Sequence, residues 1–367
     1  MNARLLAPRR PHLDLGQSPA GRPGAGGPAL DLDHGGRTAT AGYCRSRNEW
    51  EQGVTPYRPV AWISHPACAL HDMGGGHPEC PQRLAAIEDR LRVTGLLDFM
   101  QRFEAPRAER SELERVHTRE HVAAILDATA PTLPRHIDAD TTQTPRTAEA
   151  ALRAAGASVL AVELALSGHH GLAFCAVRPP GHHATRGEAM GFCFFNNVAV
   201  AAAHALSRGL RRVAILDFDL HYGNGTADIF ADDPRVMLYS TYQHPLYPYW
   251  SGQPGTPHLV DAPLPPLAGS REFRTAVEQR WLPLLAGQKP EMILVSAGFD
   301  AHAEDGMGDL RLGYGDYAWM ASRILALAET HCPGRIVATL EGGYMLHTLG
   351  RCVESFLQPF VGGEPLP

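Results

Sequence analysis

The chain has 367 residues, of which 44% are hydrophobic and 20% charged, and its formal net charge is -6 at pH 7. This length and composition allow a large buried core, and the acidic balance argues against a broad nucleic-acid-binding surface. Seven scattered cysteines without paired short spacings favour a reducing, cytoplasmic setting, and no stretch approaches the roughly 18 uninterrupted apolar residues of a membrane span.

Residues 1–55 differ in composition from the rest of the chain. Proline, glycine and arginine are interleaved there with little periodicity, which predicts a disordered tail. A transit peptide is the alternative, but Asp14, Asp31 and Asp33 disfavour a basic amphipathic helix. Over residues 56–367, helical and strand-like patterns alternate without a linker, which predicts a single α/β domain with a mainly parallel central sheet flanked by helices.

Five segments of this domain have helical patterns. The first, residues 81–95, opens with proline and closes at glycine. A longer helix is expected to start after Thr147 as its N-cap and to continue towards Gly168. The other predicted helices are residues 197–209, 270–287 and 316–330.

Four short apolar runs read as parallel strands, and each ends in polar residues. Because ligands bind beyond the carboxyl ends of strands in open parallel sheets, all four ends are expected to open onto one pocket. The runs are residues 173–177, 213–216, 292–295 and 336–340, and the segments that follow them are RPPGHH at 178–183, DFDLH at 217–221, GFDAH at 298–302 and EGGY at 341–344.

Each segment alone has an ordinary structural explanation. Tandem histidines are often surface residues, Asp-x-Asp after a strand can cap a helix, and Gly-Gly-Tyr is a common turn. Their joint occurrence after four similar strands supplies metal ligands, two titratable bases and a phenol together, which favours an active site. In DFDLH the alternation of side chains places Asp217, Asp219 and His221 on one side.

With these motifs, and with GFCFFNN at 191–197, the chain resembles the histone deacetylase family, specifically its class II branch and the bacterial deacetylase-like amidohydrolases, over residues 60–360. The resemblance implies an arginase-type α/β fold with the active site at the C-terminal strand ends. It also implies zinc-dependent hydrolysis of an acetyl amide with release of acetate.

By this resemblance the metal ligands are Asp219, His221 and Asp300, with open coordination for water and a substrate carbonyl. Zinc is the expected metal, although two carboxylates and one histidine would also hold iron(II). The resemblance also implies a potassium ion near Asp217 and the segment 240–241. For Ser240 the alternative is a strand-end hydroxyl without a ligand role.

The resemblance also assigns catalytic roles. Asp217 is expected to orient His182, and Asn224 to be the partner of His183. We expect His183 to act as general base and later acid with His182 as its electrostatic partner, because two adjacent imidazoles are costly to protonate together beside a cation. The sequence leaves this division of roles open. Tyr344 is expected to donate its hydroxyl to the oxyanion.

Relatives bind the substrate in a narrow tunnel between two aromatic side chains. The matching positions here are Phe192, which follows Gly191, and Tyr247. The segment 245–252 is a residue longer than the usual loop, so Tyr249 or Trp250 is the alternative to Tyr247.

Two further positions concern substrate choice. Asp140 aligns with a rim residue that holds the substrate's backbone N–H, and Asp138 is an equally polar alternative. Met307 stands where polyamine-specific relatives have glutamate, and methionine offers no counter-charge to a polyamine. We therefore expect an acetyl-lysine substrate, with an acetylpolyamine as the alternative and with no direct nucleic-acid or membrane partner.

Two other classes of protein fit these residues less well. A two-manganese ureohydrolase needs further aspartates after the first cluster and after Asp300, whereas Leu220, Tyr222 and Asn224 follow or interrupt the first cluster here. A catalytically weak acetyl-lysine-binding module is disfavoured because ligands, both histidines and Tyr344 are present together. Tyr222 itself replaces a histidine that most relatives have, which predicts weaker metal binding or slower turnover if that imidazole fixes the loop.

Overall fold

An eight-stranded parallel sheet forms the centre of the protein. A computed structural model describes residues 58–127, 134–249 and 256–362. The predicted tail and Trp250 lie outside the described residues. The strands are β1 (Val60–Ser64), β2 (Met100–Glu104), β3 (Arg135–His136), β4 (Thr142–Gln143), β5 (Leu172–Cys175), β6 (Val213–Asp217), β7 (Val236–Gln243), β8 (Leu259–Leu264), β9 (Met292–Ala297) and β10 (Ile336–Leu340).

The strand order explains why the polar segments meet. The central sheet runs β2-β1-β5-β10-β9-β6-β7-β8 with parallel neighbours, and β3 and β4 form a small antiparallel ribbon. The four strands that precede the polar segments, β5, β10, β9 and β6, are therefore adjacent. Every residue in these four strands is buried, as continuous apolar runs predict.

Helices cover both faces of the sheet and enclose two apolar clusters, one around Phe174 and Phe356 and the other around Phe194 and Ile215. They are α1 (Gln82–Val93), α2 (Arg110–Leu113), α3 (Arg119–Leu126), α4 (Thr147–Ser167), α5 (Asn197–Ser207), α6 (Asn224–Ile229), α7 (Ser270–Ala276), α8 (Leu282–Gln288), α9 (Tyr314–His331) and α10 (Leu346–Val361). The predicted fold class, a single domain with a mainly parallel sheet flanked by helices, is confirmed.

Several predicted helix bounds need correction. The segment 270–287 is not one helix, because a π-helical turn (Val277–Trp281) separates α7 from α8. Thr147 is the first residue of α4 and not its N-cap, and its hydroxyl accepts the Thr144 backbone N–H at 2.8 Å. Helix α10 was not predicted. Helix α4 is long and apolar enough to cross a membrane, but it is mostly buried, as a core helix is.

Candidate active site

Three side chains at the ends of β6 and β9 form a compact group that could hold a metal ion. One ligand atom from each of Asp219, His221 and Asp300 lies within 4.8 Å of the other two, and all three residues are buried. The His221 Nδ1 atom is 3.1 Å from Asp219 Oδ1 and 3.2 Å from Asp300 Oδ2. The structure therefore brings together the three predicted ligands.

The surroundings of this group fit a cation. Asp300 Oδ2 is buried and lacks a well-aligned hydrogen-bond donor in the described part of the chain. Burial and the nearby Asp219 carboxylate raise the pKa of Asp300 to about 6. Burial opposes a charged His221, but the two carboxylates outweigh it and raise the pKa of His221 to about 9. A divalent ion would relieve the crowding of negative charge that causes these shifts.

Backbone groups fix the two carboxylates. Asp219 Oδ1 accepts the His221 N–H at 2.8 Å, and Asp219 Oδ2 accepts the Gly342 N–H at 2.9 Å. Asp300 Oδ1 accepts the Leu220 N–H at 3.0 Å. A Cβ atom on Gly342 would lie 2.2 Å from Asp300 Oδ2, so a glycine is required there. The loops after β6, β9 and β10 are thus tied together around the group.

Two histidines that follow β5 lie beside the three ligands. The His182 and His183 rings are 4.1 Å apart. His182 Nδ1 is 3.0 Å from Asp217 Oδ2, and His183 Nδ1 is 2.7 Å from Asn224 Oδ1. Because an amide oxygen only accepts hydrogen bonds, His183 carries its proton on Nδ1, and its Nε2 atom can accept a proton.

The two histidines differ in pKa. Burial disfavours a charged His182, but the carboxylates of Asp219 and Asp217 outweigh burial and raise its pKa well above the usual value. Burial and the neighbouring His182 lower the pKa of His183 well below the usual value. The pair therefore combines a charged imidazole with a neutral one that is able to act as a base.

Tyr344 lies at the end of β10 and borders the same space. Its ring is 5.8 Å from that of Phe192, and the Arg83 guanidinium lies 4.8 Å from its ring centre. Gly343, directly before it, has a φ of 119°, which favours glycine. Burial raises the pKa of the Tyr344 hydroxyl despite Arg83, so the phenol stays protonated and remains a hydrogen-bond donor.

A buried ion network behind the site was missed by the sequence reasoning. Arg178 donates to both carboxylate oxygens of Glu79, at 2.6 Å for Oε2. Arg83 donates to Glu79 Oε1 at 3.0 Å and to the carbonyls of Gly343 and Glu341 at 2.6 and 2.5 Å. Arg178 directly follows a run predicted to be a strand of the central sheet, and a charged residue in such a place was a signal that a carboxylate partner exists, although the sequence did not identify it.

Glu341 has a separate role. Its carboxylate accepts the backbone N–H groups of Gly181 at 2.6 Å and His182 at 3.2 Å, which fixes the histidine loop against β10. Burial raises the pKa of Glu341 to about 7.

The predicted tunnel residues lie next to the histidines. The Tyr247 ring is 5.1 Å from the His183 ring. A Cβ atom on Gly191 would lie 2.6 Å from the His183 ring and 3.0 Å from the Tyr247 hydroxyl. Tyr249, the alternative to Tyr247, is 77% exposed and does not enter this space. Phe192 has a φ of 68° and is held by a hydrogen bond from its N–H to Thr141 Oγ1 at 3.0 Å.

At the rim of the pocket, the carboxylates of Asp138 and Asp140 have different contacts. Asp138 Oδ1 accepts the N–H groups of Asp140 at 3.0 Å and Thr141 at 2.5 Å, so this carboxylate holds the turn. Asp140 is exposed, and its main-chain carbonyl accepts a hydrogen bond from His77 Nε2 at 3.0 Å. The Asp140 Oδ1 atom accepts the Thr141 hydroxyl at 3.4 Å, and burial together with the neighbouring Asp138 carboxylate raises the pKa of Asp140. His77 was not identified from the sequence.

Tyr222 belongs to the segment 218–222, which carries Asp219 and His221 and is called the metal loop, and Ser240 lies in the neighbouring strand β7. The Tyr222 ring is 4.7 Å from that of Tyr242, and burial together with the Asp261 carboxylate raises the pKa of its hydroxyl. Tyr222 therefore packs against β7, and its hydroxyl interacts with the Asp261 carboxylate of the edge strand β8. Ser240 pairs in register with Asp217, and its hydroxyl is buried without a hydrogen-bond partner among the described residues.

Comparisons with known proteins agree with this geometry. The sequence model of the histone deacetylase domain matches residues 77–360. The chain is 37% identical over 292 residues to a probable deacetylase of Archaeoglobus fulgidus, covering 77% of this chain and 80% of the relative. It is 36% identical over 310 residues to the polyamine deacetylase HDAC10 of Mus musculus, covering 79% of this chain and 45% of that protein.

The fold is also similar to a solved structure, the HD domain of HDA15. The TM-score is 0.79 at 32% identity, over 84% of this chain and 90% of the other. The chain therefore belongs to the histone deacetylase family and is a hydrolase that acts on acetylated amides.

Proposed function

We propose that the protein is a zinc-dependent deacetylase that hydrolyses the Nε-acetyl-lysine amide in peptides or proteins and releases acetate. One observation carries this proposal: the Asp219, His221 and Asp300 ligand atoms lie within 4.8 Å of one another. The paired histidines and Tyr344 border the same space. A site that only bound acetyl-lysine would need neither a neutral base nor a fixed phenol.

Asp219, His221 and Asp300 would hold the zinc ion. Zinc accepts nitrogen and oxygen ligands, and three protein ligands leave a coordination position for a reactant. When bound, zinc would acidify a water molecule and polarise the amide carbonyl, so that attack becomes feasible near neutral pH. Iron(II) accepts the same donor set and is the alternative metal.

His183 is the proposed general base. Its Nδ1–H is bound by Asn224, which directs the Nε2 lone pair into the site. After taking a proton from the attacking water, His183 can return it to the leaving amine. His182, held by Asp217, remains charged and stabilises negative charge in the transition state. These roles are supported by the opposite directions of the two pKa shifts.

Tyr344 is the proposed oxyanion donor. The carbonyl oxygen gains negative charge as the amide carbon becomes tetrahedral, and a protonated phenol can donate a hydrogen bond to it. The raised pKa of Tyr344 keeps that proton available.

We further propose a potassium ion near Asp217 and Ser240. The buried Ser240 hydroxyl has no hydrogen-bond partner in the described part of the chain, and a cation would use its oxygen. The test is the dependence of thermal stability on potassium chloride, with sodium chloride at equal ionic strength as the control.

An acetylpolyamine is the second candidate substrate. The acidic rim formed by Asp138 and Asp140 favours it, because carboxylates attract a polycation, and mouse HDAC10 is named a polyamine deacetylase. Met307 favours acetyl-lysine, since its thioether provides no counter-charge for a second amine. Phe192 and Tyr247 suit the alkyl chain of either substrate.

Acetate release from an acetyl-lysine peptide and from N-acetylputrescine tests the proposal. The full chain is treated with a chelator and then supplied with zinc, or with iron(II) under anaerobic conditions. We expect activity to disappear with the chelator, to return with zinc, and to be higher for the peptide in kcat/KM. A higher kcat/KM for N-acetylputrescine would assign the second substrate, and no acetate from either after zinc is restored would refute the reaction class.

A further inference from the structure

Asp305 holds three backbone N–H groups from two different loops. The residue is 5% exposed, and both carboxylate oxygens are used. Its Oδ2 atom accepts the N–H of Tyr344 at 2.7 Å and of Met345 at 3.0 Å. Its Oδ1 atom accepts the N–H of Met307 at 3.2 Å. A buried carboxylate with three backbone donors forms charge-assisted hydrogen bonds, which are stronger than neutral ones.

The backbone around Tyr344 needs such support. Gly342 and Gly343 precede it, and glycine is the residue with the most backbone freedom. On the N-terminal side, Arg83 binds the carbonyls of Glu341 and Gly343. On the C-terminal side, Asp305 binds the next two amides. The segment is therefore held at both ends, and the direction of the Tyr344 phenol depends on the two attachments.

Asp305 also connects Tyr344 with the loop that carries Met307. Met307 is partly buried and packs against the apolar core. The neighbouring Gly308 leaves room for Leu220 of the metal loop, because a Cβ atom on Gly308 would lie 2.8 Å from Leu220 Cδ2. A shift of the Met307 loop would move the Asp305 carboxylate and, through it, the Tyr344 amide.

We propose that Asp305 is a positioning residue that fixes the direction of the Tyr344 hydroxyl and links it to the Met307 loop. This inference rests on the proposed function, in which Tyr344 donates to the oxyanion. The Asp305 carboxylate binds backbone amides, and none of its hydrogen bonds in the described part of the chain goes to Asp219, His221 or Asp300. Its loss acts through Tyr344, and a displacement of about 1 Å in such a group can lower turnover by up to about 10²-fold.

A double-mutant cycle on kcat separates positioning from general support of the fold. We expect Asp305→Ala to lower kcat about 10- to 100-fold in the wild-type background, with an unchanged metal content. In the Tyr344→Phe background the same change is expected to lower kcat by less than about twofold, because the hydroxyl that it misplaces is already absent. Equal losses in both backgrounds, or no loss in the wild type, would overturn the inference.

Two further variants keep the test decisive. Asp305→Glu retains the charge but moves the carboxylate by one methylene. If the alanine variant does not fold, the glutamate variant replaces it in the cycle, and the expected results are the same. Asp305→Asn retains an oxygen that can accept the Tyr344 and Met345 amides. We therefore expect its kcat to stay above about one tenth of the wild-type value, a smaller loss than in the alanine variant. An asparagine variant as slow as the alanine variant would contradict the inference.

Asp316→Asn is the matched control. Asp316 is a buried carboxylate that holds the Gly313 N–H at 3.0 Å and the Arg274 side chain, at the start of α9. We expect it to lower the melting temperature without changing kcat. Wild-type activity is measured first: an inactive wild type would refute the proposed function and this inference with it, whereas an active wild type with additive losses refutes this inference alone.

Discussion

Replacing Glu79 by glutamine tests the buried ion network behind the active site. The Glu79 carboxylate is fully buried. Its Oε2 atom lies 2.6 Å from Arg178 Nη2, and its Oε1 atom lies 3.0 Å from Arg83 Nη1. Glutamine has nearly the same shape but no charge, so two buried guanidinium groups lose their counter-charge. Breaking a buried pair in this way costs about 3–5 kcal/mol.

The pKa of Glu79 gives a second measure of the same effect. Burial alone would raise this pKa, but Arg178 and Arg83 outweigh it and lower the pKa from 4.5 to about 2. A shift of this size corresponds to about 3 kcal/mol of stability at pH 7. Because the folded pKa is the lower one, this stability is complete above pH 4.5 and is lost as the pH falls towards about 2.

The assay is thermal unfolding of the wild type and of Glu79→Gln, followed by circular dichroism. With an unfolding entropy of about 0.6 kcal/mol/K for about 300 ordered residues, the loss should lower the melting temperature by about 5–8 °C at pH 7. The difference between the proteins should shrink below pH 4.5. Glu278→Gln, which removes an exposed pair with Arg323 at 3.8 Å, should have little effect. Equal melting temperatures for Glu79→Gln and the wild type would refute the reasoning.

Three further variants test the site itself. Tyr344→Phe should retain the metal and lose roughly 10²- to 10³-fold in kcat, measured by acetate release; near-normal turnover would remove Tyr344 from the mechanism. His221→Ala should abolish metal binding, which elemental analysis of the purified protein detects. Gly342→Ala should also lose metal, since its Cβ atom would lie 2.2 Å from Asp300 Oδ2. The control Gly287→Ala has no atom within 4 Å of its Cβ and should bind metal normally. Equal metal content in the two variants would count against a metal site at Asp300.

The proximity of Asp219, His221 and Asp300 could be anticipated because each residue lies close in sequence to the end of a strand. Each polar segment directly follows a buried strand, and the carboxyl ends of parallel strands share one edge of a sheet. Once β5, β6, β9 and β10 were identified, convergence of Asp219, His221 and Asp300 followed. The order of these four strands, which places them side by side in the sheet, is a tertiary feature that the sequence did not predict.

The features that the sequence did not predict depend on tertiary contacts. Glu79 lies 99 residues before Arg178, and Arg83 binds carbonyls about 260 residues away, so no spacing indicates these pairs. The sequence likewise did not indicate that the Asp305 carboxylate binds the backbone amides of Tyr344 and Met345. The break between α7 and α8 is also non-local in origin, because the π-helical turn buries Val277 and Trp281 while the flanking residues follow a helical pattern.

The charges around the site argue for a divalent ion. Six buried carboxylates surround it or its supporting network, namely Glu79, Asp217, Asp219, Asp300, Asp305 and Glu341. Arg83, Arg178 and a protonated His182 offset three of these charges. A His221 that binds a metal is neutral, so an excess of three negative charges among the described residues would face the ion. Burial makes such an excess costly, and the raised pKa values of Asp300 and Glu341 are its visible consequence. A monovalent ion alone would leave two charges uncompensated, so a divalent ion between Asp219 and Asp300 is the better match.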